Sequence, residues 1–247
     1  MRHLAAALLI CLPLLTNAGS LADLEVYDVN LGRVLPVHEF RGRLYVAGEP
    51  GHQYELRIRN RWRQRLLAVT SVDGVNVVSG TTAATDQGGY GVDSWSSVQI
   101  DGWRKSLDDV ARFYFTSLPD SYAARTGRPD NVGVIGVALF REQLQSRPRT
   151  HWLDDSAAKP EAEAPTANGQ SAQRSESQDR LGTGHGHRAS SPVQYVDFRR
   201  ASTTPDETLA IYYDSYRNLV AQGVMPRHPR LMKQQPQPFP AGFAPDP

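Results

Sequence analysis

A chain of 247 residues, 21% of them charged, sets 27 Lys and Arg against 26 Asp and Glu for a formal net charge of +1. That balance offers no global field to draw the protein to nucleic acid or acidic lipid, so any charged partner must be met by a local patch. A single cysteine excludes an internal disulfide framework.

The first 22 residues have the form of an export leader. Arg2 and His3 make a short cationic start, Leu4 to Leu15 an apolar run, and Ser20-Leu21-Ala22 a small-residue cleavage site before Asp23. The run is too short to cross a bilayer, which takes roughly 20 apolar residues. Cys11, the only cysteine, lies inside it and would leave with the leader. A lipid anchor on Cys11 is disfavoured because Ile10 fills a place that wants a small residue. Removing Arg2 leaves the two charge classes equal at 26. The expected location is periplasmic or secreted. A chain without paired cysteines bound for an oxidising compartment points to a bacterial source.

From Leu24 to Phe140 apolar residues recur with period two between Gly, Pro, Asp and Asn, the pattern of a sandwich or barrel of short strands. Tyr54, Leu56 and Ile58 alternate with Glu55, Arg57 and Arg59, which places the apolar three inward and the charged three in water. Leu66–Val72 and Val75–Val78 flank Asp73-Gly74, the signal for a type I′ hairpin. Ser97–Ile100 reads as a strand ending at the Asp101-Gly102 turn. Ser106 to Asp109 has capping-box spacing and predicts a helical turn before a strand over Arg112–Thr116, with Phe113 and Phe115 inward. Val132–Phe140, apolar nearly throughout, predicts a central strand buried on both faces.

The texture then changes. Residues 146–180 read as a disordered linker, and from Asp154 to Arg180 no apolar residue is larger than alanine. Alternation over Val193–Phe198 and Leu209–Asp214 predicts two strands joined by a turn at Thr204-Pro205-Asp206. A short helix follows, capped by Asp214 or Ser215 and stopped by Gly223. A Pro/Gln-rich tail occupies residues 226–247. The β-β-α segment 181–225 is too small to hold an unstapled core, for which roughly 70 residues are needed. It is therefore expected to dock through Tyr195, Phe198, Tyr212, Tyr213 and Tyr216 on the domain formed by residues 23–145. The expected fold is all-β with minor α: a sandwich-like antiparallel domain completed by its C-terminal segment.

Ser71-Val72-Asp73-Gly74-Val75-Asn76-Val77, Gly102-Trp103-Arg104-Lys105-Ser106, the run from Leu118 to Pro129 and Leu181-Gly182-Thr183-Gly184-His185 together resemble a group of exported, uncharacterised proteobacterial proteins. The resemblance covers both ordered segments and skips the linker. It implies a bacterial envelope location and brings no activity, substrate or catalytic residue.

Two clusters carry possible chemistry. Arg57, Arg59, Arg61, Arg63 and Arg65, interleaved with Trp62, could hold phosphate or sulfate. Outside the cytoplasm that means lipopolysaccharide, headgroups or acidic glycans rather than a genome. Alternatively they form a solvated face balanced by nearby carboxylates. His185 and His187, with one residue between them, could share a zinc or copper ion if His151, His38, His52 or an aspartate supplied a third ligand. The alternative is a flexible glycine-rich lead-in.

No Gly-x-Ser-x-Gly elbow occurs, and Asp108-Asp109 and Asp154-Asp155 read as a helix cap and a linker start. Tyr90, Trp95 and Trp103 could stack on a sugar or fill core edges. The expectation is a non-catalytic envelope protein with a binding or assembly role toward an anionic component or another envelope protein, without a resident cofactor. A metal-binding protein or metal-dependent hydrolase using the His-x-His segment and a purely structural protein are the alternatives.

Overall fold

The period-two reading builds real strands. On β5 (Gln53–Asn60), Tyr54, Leu56 and Ile58 are buried while Arg59 faces solvent. Glu55, expected in water, is buried as well, because its carboxylate accepts from Arg57 and Gln99. The computed structural model describes residues 21–143 and 180–226. Most of the leader, most of the expected linker and nearly all of the tail lie outside the described residues, as do His151 and Asp154-Asp155.

Two seven-stranded sheets enclose one core. In the first, β5 lies between β1 (Ala22–Asp28) on one side and β9 (Ser97–Ile100) and β11 (Asp109–Ser117) on the other. The short β2 (Arg33–Val34) extends β1, and β10 (Gly102–Arg104) pairs with β11. The second sheet runs β3 (His38–Phe40), β4 (Arg43–Gly48), β14 (Glu207–Ser215), β12 (Val134–Arg141), β6 (Leu66–Val72) and β7 (Val75–Asn76), with β8 (Tyr90–Val92) also on β6. All pairings are antiparallel except β4 with β14. β12 is central and mostly buried, as its unbroken apolar run predicts. Asp73 (φ 53°) and Gly74 (φ 72°) make the expected left-handed turn between β6 and β7.

The C-terminal segment completes both sheets, with one strand in each. β13 (Leu181–Ser190) pairs along β11, and β14 inserts between β4 and β12. The strand expected over Val193–Phe198 does not form. The extended chain there crosses the outer face of the second sheet, where Phe198 packs on Leu67, Val69, Ala138 and Phe140, and burial does not alternate, since Gln194 to Asp197 are all exposed. Tyr195, expected to dock, is 88% exposed, and Tyr216 is also exposed.

The strand lies instead in the glycine-rich stretch read as a flexible lead-in. A Cβ at Gly184 would fall 2.2 Å from the Tyr114 ring, and one at Gly182 2.6 Å from Ser121 Cβ, so these glycines permit close approach.

Two further differences concern local turns. No helical turn forms at Ser106; its Oγ accepts the N–H groups of Asp108 and Asp109, and the chain then enters β11 directly. The ordered domain also takes in Leu21 and Ala22, which the sequence assigned to the leader.

The predicted C-terminal cap structure does form. Ser215 Oγ accepts the Asn218 N–H of α2 (Tyr216–Ala221), and Gly223 (φ 75°) takes the left-handed position beyond it. Among the described residues no helix is long and apolar enough to cross a membrane.

Candidate functional site

The arginine run is partly paired within the domain. Arg57 donates from Nε and Nη2 to Glu55 Oε1 (3.0 and 2.7 Å), with its guanidinium 3.6 Å from the Tyr27 ring centroid. Arg61 pairs with Asp23 at 3.2 Å. Arg65 forms a two-pronged pair with Glu142, at 3.1 and 2.5 Å. Arg59 lies opposite Asp23 in the strand register, and Arg63 reaches over the Trp62 ring at 5.8 Å. Trp62 itself is half-buried against the core, and its indole N–H has no acceptor among the described residues. Three of the five cations are thus paired with carboxylates, while Arg59 and Arg63 have no ion pair among the described residues.

The two histidines are separated by a bulge. His185 pairs with Phe113 and Arg188 with Ala111, so Gly186 and His187 together oppose Arg112 and strict alternation is lost between them. His185 is half-buried, its ring 5.4 Å from that of Tyr122. Burial, then the nearby Lys105, holds its pKa below the ordinary value, which favours the neutral imidazole. His187 is exposed. His52 sits elsewhere, its Nδ1 2.9 Å from Oδ2 of the buried Asp28. His38 lies on β3. No group of three His, Cys, Asp or Glu residues suited to a metal occurs among the described residues.

Of the aromatic candidates, Trp103 and Tyr90 are core residues, with Trp103 edge-on to Phe113 at 5.1 Å and Tyr90 accepting from Arg104. Trp95 is 70% exposed.

The most elaborate polar cluster is one the sequence did not reveal. Asp73, placed by its hairpin turn, accepts from Tyr213 Oη (2.5 Å) and Gly133 N (2.9 Å) at Oδ1 and from Thr183 N (2.8 Å) at Oδ2. Thr183 Oγ1 lies 2.6 Å from both Tyr213 Oη and Tyr54 Oη. Because Tyr213 gives its one proton to Asp73, Thr183 must donate to Tyr213 and Tyr54 to Thr183, a directed chain ending on the carboxylate.

Burial raises the Asp73 carboxyl to about 6, partly offset by these donors. Burial, then the Asp73 charge, raises both tyrosines. All four residues are buried, so the cluster has no surface on which a substrate could act. It fastens β13 and β14 to the turn after β6. Asp214 completes the work, accepting the Leu181 N–H at 3.1 Å, so that two carboxylates cap N–H groups that β13 turns away from β11.

A different surface gathers uncompensated cations. The β3–β4 turn is Arg41 (φ 51°) and Gly42 (φ 73°), and an arginine in the left-handed region is uncommon. Arg41 stacks over Phe40 at 5.0 Å and Arg43 over Tyr212 at 5.1 Å. The register sets Phe40 opposite Arg43 and Tyr45 opposite Tyr212, with the two tyrosine rings 5.6 Å apart, so all share the outer face of the second sheet. Phe40, Arg41, Arg43 and Tyr45 line a shallow groove of about 450 Å³ together with Gln222 and Val224. Among the described residues no carboxylate pairs with Arg41 or Arg43.

Comparison with protein-family models, with curated proteins and with solved structures finds no match to this chain.

Proposed function

We propose that the protein is an exported, non-catalytic binding module of the bacterial envelope that holds anionic envelope components on the face built from Phe40, Arg41, Arg43, Tyr45 and Tyr212. The observation that carries this reading is the pair of guanidinium groups, each stacked on an aromatic ring and neither matched by a carboxylate among the described residues. Stacking holds a guanidinium's planar fork in place, so less side-chain freedom is lost when it grips a phosphate or carboxylate in two-pronged fashion. The arginines of the 57–65 run are poorer candidates, since Arg57, Arg61 and Arg65 already have acidic partners. Export rests on the leader-like first residues and on the resemblance to exported bacterial proteins.

Salt-gradient elution from a phosphorylated cellulose matrix tests the reading. R41S/R43S is expected to elute at clearly lower salt than the wild type, while R57S/R61S, which breaks internal pairs, shifts elution little. Elution of R41S/R43S at the wild-type salt concentration would remove the proposed face.

A further inference from the structure

The start of β1 constrains where an export leader can be removed. A cut before Asp23 would strip two residues that the fold uses. Ala22 is fully buried and pairs with Asn60, and Leu21 is buried with its carbonyl accepting the Arg61 N–H at 2.8 Å. Leu21's own nitrogen lies 2.7 Å from Oε2 of Glu207, the half-buried first residue of β14. Immediately upstream, Ala18 and Ser20 stand three residues and one residue before the Ser20–Leu21 bond, the small-x-small spacing that leader peptidases accept.

We infer that the leader is cut between Ser20 and Leu21 and that the new α-ammonium of Leu21 is held by the Glu207 carboxylate. The inference rests on the export reading above. In the cut, water adds to the Ser20 carbonyl carbon and the C–N bond breaks. Ser20 departs as the leader's carboxylate, and the Leu21 nitrogen takes up protons to become an ammonium. That nitrogen already sits at hydrogen-bonding distance from Glu207, so hydrolysis turns an amide–carboxylate contact into a charged one without moving the chain. Because Leu21 precedes β1 in one sheet and Glu207 opens β14 in the other, the resulting pair ties the two sheets together at one end. A charge-assisted hydrogen bond contributes more than a neutral donor on the same acceptor, and half-burial limits its screening by salt.

The test is to express the full chain with its own leader in an exporting bacterial host, then determine intact mass and N-terminal sequence of the recovered protein. Leu21 is the first residue expected. A chain beginning at Gly19 or Asp23 overturns the cut site while leaving export standing. A chain that keeps Met1 and stays in the cytoplasm overturns export and this inference with it.

A second arm reads the ion pair. Urea unfolding is compared for E207Q and wild type, once in chains starting at Leu21 and once in chains that retain Gly19-Ser20. E207Q should lower the folding equilibrium constant roughly fivefold more in the Leu21 form, the difference between a charged and a neutral hydrogen bond. Equal losses in both forms would overturn the ammonium–carboxylate pair.

Discussion

Tyr213 donates its phenolic proton to Asp73 across 2.5 Å, joining residues 140 positions apart in the chain. The contact couples the first strand-turn-strand signal of the sequence to the last strand of the fold. It therefore makes closure of the sandwich depend on both halves.

Removing that donor should be costly. Y213F leaves Asp73 short of one hydrogen bond and Thr183 without its acceptor, both in a site closed to water, for which about 1–3 kcal/mol is the usual penalty. D73N should cost more. Its amide group must point either at the Thr183 N–H or at the Tyr213 hydroxyl and Gly133 N–H, setting donor against donor. Urea unfolding monitored by tryptophan fluorescence checks both, and a wild-type midpoint for either variant would mean that the cluster contributes nothing net.

The same carboxyl gives the protein a defined pH response. Burial lifts Asp73 from 3.8 to about 6, so between those values the folded state keeps a proton that the unfolded chain releases. The contribution of this group is thus fully present below about pH 4 and is lost as the pH rises through 6, a span of about 3 kcal/mol at most. D73N cannot titrate there. The stability gap between wild type and D73N should therefore be wider at pH 4 than at pH 7, and a gap independent of pH would show that folding leaves the Asp73 carboxyl at its unfolded value.

Strand β13 is where residue patterning misled, and the reason is testable. Sequence rules read glycine as backbone freedom, yet here Gly184 makes room for the Tyr114 ring and Gly186 for the Arg112 carbonyl, at 2.2 and 2.7 Å from a would-be Cβ. By contrast, Asp73-Gly74 and the apolar run of β12 were legible, because positive φ and two-sided burial each leave a residue signature. The Asp73 cluster and the Arg41 turn were not, since neither the meeting of distant polar residues nor an arginine forced to positive φ is written in local spacing. G184A should destabilise strongly, by the 1–3 kcal/mol typical of overpacking or more. Y114A, which removes the ring, should recover part of that loss in the double variant. A G184A protein as stable as the wild type would restore the view of this stretch as slack.

The placement of β14 decides how the two described segments behave when separated. As an interior strand between β4 and β12, it supplies the middle of the second sheet, while β13 covers the outer side of β11 in the first. Residues 21–143 alone would lack a central strand and leave β4 and β12 with unpaired edges facing each other across a gap. Residues 180–226 alone would have two strands that do not pair with each other and almost no shared core. Neither piece should fold cooperatively by itself, whereas mixing them should restore a single unfolding transition with native-like tertiary circular dichroism. The D73N substitution in the longer piece should weaken that reassembly, because Asp73 holds both the Thr183 N–H and the Tyr213 hydroxyl of the shorter one. A cooperatively folded 180–226 fragment would show that the C-terminal strands carry their own core and merely lean on the sandwich.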